Sequence, residues 1–249
     1  MIRVLVNGAN GRMGRTVCEA VKNDPDLEFV GGVDVFGDGV LRDLKSAIEK
    51  FQPQVMIDFT RPDVVLENVL TALNLKVAVV VGTTGLNDES KEKIRLAAES
   101  NQTPAFIAPN FAIGAVLMML FARQAAKYLP DVEIIELHHD KKLDAPSGTA
   151  IQTAAMISEV REKHAQGHPE EVEKIPCARG AQIDGIRIHS VRLPGYVAHQ
   201  EVIFGGLGQT LSIRHDSMDR NSFMPGVVLA AKKVLDLKGL TVGLDKILD

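Results

Sequence analysis

The sequence predicts an α/β chain of two domains: a doubly wound parallel sheet, then an α+β domain built on a mixed, largely open sheet. Three observations carry this. Short apolar runs alternate with amphipathic helical patterns through the first 110 residues, the signature of a parallel sheet covered on both faces. A glycine-rich loop separates the first strand from the first helix. Beyond residue 180 the pattern changes to strands joined by Gly-containing turns, which suggests a separate, mostly β layer.

In order, Ile2–Val6 reads as a buried strand and Arg12–Asn23 as a helix. Phe29–Asp34, Val55–Phe59, Val77–Val81 and Ala105–Ile107 continue the strands. Leu41–Phe51, Asp63–Leu73 and Asp88–Ser100 are the helices between them. Ala115–Tyr128 is helical, with Leu117 to Phe121 read as core, followed by a strand at Val132–His138 and a helix at Thr149–Lys163. A polar stretch, Gly167–Pro176, precedes strands at Ile186–Leu193, Ala198–Phe204 and Gln209–His215. The last helix, Pro225–Leu237, has no strand partner nearby and is expected to return to the first domain. The expected division is 1–110 with 220–249 as a dinucleotide-binding domain, and 111–219 as a substrate-binding and oligomerisation domain.

The chain has 249 residues, enough for two modest domains, and a formal net charge of −4. No basic excess or dense basic run is present, so nucleic acid is not an expected partner. An anionic ligand therefore has to be held by local positive groups. Cys18 and Cys177 form no C-x-x-C spacing and no disulfide framework, which fits a reducing cytoplasm. A strand begins at Ile2, leaving no room for a signal peptide, and the longest nearly apolar stretch, Phe111–Ala122, is too short to span a bilayer.

The glycine loop is Gly8-Ala9-Asn10-Gly11-Arg12-Met13-Gly14, one residue longer than the commoner G-x-G-x-x-G. Gly8 permits the tight turn, Gly11 lets the backbone approach a pyrophosphate, and Gly14 allows close helix–strand packing. Amides from Arg12 onward open a helix, where orphan N–H groups and the dipole favour an anion. Asp34, 20 residues past Gly14, is placed to accept hydrogen bonds from a ribose diol. This context marks the first domain as Rossmann-type. Val35 is not basic and Asp38 follows, so a 2′-phosphate meets negative charge and NADH is favoured; Arg12 keeps NADPH open. Gly82-Thr83-Thr84-Gly85, Asp58-Phe59-Thr60 and Ala108-Pro109-Asn110-Phe111 follow other strands of the same sheet. Strand C-termini converge on one edge, so these loops read together as a ligand floor.

The densest polar cluster runs from Glu136 to Thr149 and contains His138, His139, Lys142, Ser147 and Gly148. Ser147-Gly148-Thr149 offers small residues and free amides at a helix start, an anion cradle. Histidine is the side chain that gives and regains a proton near neutrality, and lysine holds an anion. Adjacent strand residues point to opposite faces, so the two histidines need not share a task. No Cys or Glu-x-x-His motif completes a metal site, and none is expected. Ser147 lacks the strand–elbow–helix setting of a nucleophile. The chemistry that fits is hydride delivery coupled to protonation. The alternatives are a different Rossmann-type oxidoreductase, acting on a sugar or semialdehyde, and a non-enzymatic NADH sensor.

Across essentially the whole chain the sequence resembles the dihydrodipicolinate reductase (4-hydroxy-tetrahydrodipicolinate reductase) family. The resemblance is carried by Gly8–Gly14, Gly82–Gly85, Ala108–Gly114, Glu136–Ala150, His189–Gly205 and Ile213–Val227. Glu136–Ala150, Glu-Leu-His-His-Asp-Lys-Lys-Leu-Asp-Ala-Pro-Ser-Gly-Thr-Ala, matches the family signature. It implies reduction of a small cyclic imine dicarboxylate by NADH or NADPH, in lysine and diaminopimelate biosynthesis. It implies His138 as proton donor, Lys142 as the second catalytic residue, and His139, Gly148 and Thr149 as substrate contacts. Gly8, Ala9, Asn10, Gly11, Arg12, Met13, Asp34, Gly82, Thr83, Thr84, Ala108, Pro109, Asn110 and Phe111 match cofactor contacts. Val35 stands where many relatives carry a basic residue. The resemblance also implies a homotetramer assembled through the second domain's sheet, over Gln182–His215.

Overall fold

A computed structural model of the chain describes residues 1–163 and 165–248; Asp249, the expected last residue of the first domain, lies outside them. The chain divides into two units, Met1–Ile113 with Arg220–Asp249, and Gly114–Asp219. The division falls three residues later than the sequence reading, because Phe111 is built into the first unit.

In the first unit, β1 (Ile2–Asn7), β2 (Leu27–Val33), β3 (Val55–Asp58), β4 (Ala78–Val81) and β5 (Ala105–Ile107) are joined by β11 (Leu240–Val242). They form a parallel sheet in the order β11-β5-β4-β3-β1-β2. The helices explain the apolar runs. Leu5, Met56, Val79 and Val81 face one side, packed with α2 (Leu44–Phe51), α3 (Val65–Asn74) and α4 (Asp88–Asn101) in one core. Helices α1 (Arg12–Asn23) and α7 (Met224–Lys233) pack on each other. All four residues of β4 are buried, as covering on both faces demands. Each fully buried aliphatic side chain contributes about 1.5–3 kcal/mol.

Local chemistry sets the helix starts. Asp43 accepts from the Ser46 amide at 2.8 Å, so α2 begins at Leu44 rather than the expected Leu41, which bridges to Val33 instead. Asn87 caps α4 in the same way through the Ser90 amide. The chain returns after Arg220: α7 packs on the first unit, and β11 extends its sheet beside β5. Strand order reverses about β1, between β2 and β3, which puts the switch point at Asn7 and Asp58.

The second unit has a mixed sheet in the order β10-β9-β6-β8-β7. Its strands are β6 (Asp131–His138), β7 (Ala181–Ile183), β8 (Ile186–Arg192), β9 (Ala198–Gly206) and β10 (Gln209–Ser217). β6 pairs parallel with β8 and antiparallel with β9; the remaining pairs are antiparallel. Helix α5 (Ile113–Ala125) leads into this unit, and α6 (Gly148–Ser158) packs on β6 and β7. Along β6 the alternation is sharp: Val132, Ile134 and Glu136 are buried, while Glu133, Ile135 and Leu137 on the other face are half-buried.

Candidate active site

The first constellation lies at the switch point of the parallel sheet. Gly8 has φ +81°, and a Cβ there would stand 2.5 Å from the Phe59 carbonyl oxygen. A Cβ on Gly14 would stand 1.9 Å from the Gly8 oxygen, so α1 approaches the loop as only glycine permits. No side chain caps α1 at Gly11, and no acidic residue occupies its first turn. These are the features a pyrophosphate needs: close backbone approach and uncompensated amides. The chain's residues therefore fit a dinucleotide, with Gly8 to Met13 as the cradle.

Asp34 follows β2 directly, and its carboxylate accepts from the Asn10 amide at 2.8 Å. It therefore orders the loop as well as facing the cavity. That cavity, about 610 Å³, is lined by Gly8, Gly11, Asp34, Val35, Arg42 and Lys45 among others. Arg42 was not anticipated; its guanidinium donates to the Gly37 carbonyl at 2.8 Å and the Asp34 carbonyl at 3.4 Å. The sequence signal was weak, since Arg42 comes from the entry to α2, not from the strand end. Arg12 is exposed and Met13 half-buried.

Asp58, fully buried at the end of β3, was missed as an organiser. It accepts from Asn7, Thr60, Asn68 and Thr83, the last at 2.7 Å. This fixes Thr83 beside the loop, while Thr84 is exposed and a Cβ on Gly82 would strike the Phe59 ring. Ala108 is buried and Pro109 exposed. Asn110 accepts from the Ala112 amide, turning the chain. The Phe111 ring packs between Phe59 and Phe106, with centroids 6.0 and 6.1 Å away. Its side chain is core, so a ligand meets its backbone or none of it.

The second constellation centres on Glu136, one residue the sequence reading quoted but gave no role. It is completely buried on β6. His138 Nδ1 lies 2.5 Å from its Oε2, and Arg192 donates to both carboxylate oxygens at 2.7 and 2.8 Å. The Ser147 amide donates to Oε1 at 3.2 Å. Burial alone would raise the pKa; the bonds from His138 and Arg192 overcome it and hold the carboxyl at about 2. The signal was available: residues i and i+2 of a strand share a face, which pairs Glu136 with His138.

His138 ends β6, and His139 lies just past it and is exposed. Lys142 is held by Asp144 at 2.7 and 2.8 Å, lowering the Asp144 carboxyl below its usual range. Ser147 caps α6 by accepting from the Ala150 amide. Helix α6 therefore begins at Gly148, one residue before the expected Thr149, and a Cβ on Gly148 would meet nothing within 4 Å. His138 and the cap of α6 are thus both within hydrogen-bond reach of one carboxylate. His199, by contrast, is bonded at both ring nitrogens, to Asp216 at 2.6 Å and to the Val197 amide at 3.2 Å, and reads as structural. No group of three or more His, Cys, Asp or Glu suited to a metal occurs among the described residues. No helix among them is long and apolar enough to cross a membrane.

A glycine cradle at a switch point, with a histidine–carboxylate pair beside a helix start in a second unit, defines the class: an NAD(P)H-dependent oxidoreductase. Residues 2–111 match the family model for the dihydrodipicolinate reductase N-terminus, and residues 114–248 that for its C-terminus. The chain belongs to the dihydrodipicolinate reductase family. It is 50% identical to the 4-hydroxy-tetrahydrodipicolinate reductase of Desulfitobacterium hafniense, over 100% of this chain and 99% of that one. It is 52% identical to the enzyme of that name from Listeria monocytogenes, over 100% of both. A dipicolinate-bound dihydrodipicolinate reductase from Paenisporosarcina sp. TG-14 superposes with TM-score 0.93 at 48% identity, over 100% of each chain. A probable dehydrogenase from Thermotoga maritima, 14% identical with TM-score 0.67, shares the fold.

Proposed function

We propose that this chain reduces dihydrodipicolinate, formed from 4-hydroxy-tetrahydrodipicolinate by loss of its hydroxyl as water, to tetrahydrodipicolinate, in lysine and diaminopimelate biosynthesis. The observation that carries the reading is the meeting of His138 and the α6 cap on the Glu136 carboxylate. A proton donor and an anion cradle are thereby fixed together. Reduced nicotinamide, when bound at Gly8–Met13, supplies a hydride with its two electrons. His138 gives the proton that the resulting enamine-like carbon requires. Lys142, His139 and the first-turn amides of α6 at Gly148 and Thr149 hold the substrate carboxylates. On a chain of net charge −4 the dianion needs such a concentrated receptor.

NADH is the favoured cofactor, since exposed Val35 offers a 2′-phosphate no charge and Asp34 offers repulsion. NADPH remains usable through Arg42, one of the cations on that cavity wall with Lys45 and Arg61. Cofactor contacts at Asp34, Gly82 to Thr84 and the Ala108–Phe111 backbone complete the assignment. The half-buried outer face of the second sheet, with Ile135, Leu137, Val191 and Ile203, supports a homotetramer assembled on it. Free thiols at Cys18 and Cys177 support the cytoplasm as its compartment. The test is coupled turnover: pyruvate and aspartate semialdehyde, converted in situ by the upstream condensing enzyme, with NADH or NADPH oxidation followed at equal concentrations. Oxidation faster with NADH supports the reading; no oxidation with either cofactor rejects the activity, and strong NADPH preference rejects the cofactor assignment.

A further inference from the structure

We infer that Glu136 is the positioning residue of the site: it fixes the tautomer of His138 and, through Ser147, ties the proton donor to the anion cradle. The inference rests on His138 being the proton donor. Glu136 is fully buried and surrounded by donors from three segments. They are His138 on β6, Arg192 on β8, and Ser147 ahead of α6. An ionised carboxylate only accepts hydrogen bonds. The His138 nitrogen 2.5 Å away must therefore carry a proton, so Nδ1–H is the tautomer and Nε2 is the atom that gives and regains the transferred proton. When Nε2 releases its proton to substrate carbon, the ring becomes neutral with the Nδ1 proton still directed at Glu136. Solvent returns the proton after product leaves.

Stability alone does not account for the arrangement. A buried ion pair such as Glu136–Arg192 gains little over an apolar pair, because desolvation offsets the attraction. What it does supply is orientation. Arg192 also donates to the Asp144 carbonyl at 2.8 Å, and the Leu193 amide donates to the His138 carbonyl at 3.1 Å. The turn carrying His139 and Lys142 is therefore held at the Asp144 end by Arg192, which is bonded to Glu136, and at the His138 end by the Leu193 amide that follows Arg192.

The Gln variant has a definite expected geometry. Ser147 presents an amide N–H to Oε1 and can only donate. In Glu136→Gln the Arg192 guanidinium opposes the NH2 on either side, so Ser147 and His138 decide: the oxygen stays by Ser147, which can only donate, and the NH2 turns toward His138, which can accept. Nδ1 then becomes an acceptor and the proton moves to Nε2. The first measurement is the ¹⁵N spectrum of histidine-labelled wild-type enzyme, with the His138 signal assigned by its loss in His138→Gln. The expected neutral tautomer is Nδ1–H; an Nε2–H tautomer overturns the inference. This readout needs no Glu136 variant to fold.

The second measurement is a cycle of Glu136→Gln, His138→Gln and the double variant, with dipicolinate binding measured on each. Glu136→Gln is expected to invert the tautomer and lower kcat about 100-fold. Dipicolinate affinity should change far less, and the double variant should be no slower than His138→Gln. Full multiplication of the two losses, or wild-type kcat in Glu136→Gln, overturns the positioning role. Wild-type kcat in His138→Gln instead removes the underlying assignment, whatever Glu136 does.

Discussion

Replacing Gly14 by Ala isolates the contact that makes the dinucleotide cradle. The new Cβ would stand 1.9 Å from the Gly8 oxygen, 2.7 Å from its carbonyl carbon and 2.9 Å from Ala9 Cα, all backbone atoms. No rotamer change relieves this, so α1 has to withdraw by roughly 1.5 Å to reach ordinary contact. Overpacking of this kind costs about 1–3 kcal/mol, and a rigid backbone neighbour puts it at the upper end. Alanine returns about 1 kcal/mol as the better helix former. The net is on the order of 2 kcal/mol, or roughly 4–8 °C in Tm for a chain of this size. Calorimetry gives the Tm, and NADH fluorescence titration the affinity, which should weaken more than tenfold as the loop is displaced. Gly148→Ala, where the Cβ meets nothing within 4 Å, is the steric control and should not lower the Tm. An unchanged Tm with wild-type NADH affinity in Gly14→Ala refutes the reasoning.

Two further outcomes follow from the second unit. Lys142→Ala removes the cation proposed to hold the dianion, so KM for the imine should rise and kcat fall together in steady-state assays. An unchanged profile leaves Lys142 only its ion pair with Asp144. Acid unfolding should expose Glu136: its folded-state pKa lies at about 2, below the ordinary 4.5, so its contribution is present above pH 4.5 and lost as pH falls toward 2. The shift corresponds to roughly 3 kcal/mol. Denaturant titrations across that interval on wild type and Glu136→Gln should differ in slope with pH, and parallel curves would contradict the shift.

Most of the fold was legible because burial on both faces leaves an unmistakable pattern. The run Ala78–Val81 has no polar residue, and the glycine spacing from Gly8 to Gly14 announces the turn it makes. What was missed is short or depends on distant partners. β11 is three residues long and is a strand only because β5 offers an edge; β7, equally short, has two exposed residues. The return of α7 to the first unit was expected from its lack of a nearby strand partner; its packing on α1 was not, and a Cβ on Gly226 would stand 2.1 Å from the Phe111 oxygen. In the site, residue types suggested the chemistry proposed for His138 and Lys142, but not the geometry around them. Arg192 lies 56 residues from Glu136, and only the parallel pairing of β6 with β8 brings it there. Phe111 shows the converse: its motif suggested a ligand contact, while its ring completes an aromatic cluster.

His138, as the proposed proton donor, is central to nicotinamide-driven reduction of the imine dicarboxylate. The decisive measurement is turnover of that substrate by His138→Gln beside wild type, with NADH affinity determined on the same samples. A fall in kcat of about 10²–10⁴-fold at unchanged NADH affinity is predicted. Wild-type turnover in the variant would contradict it.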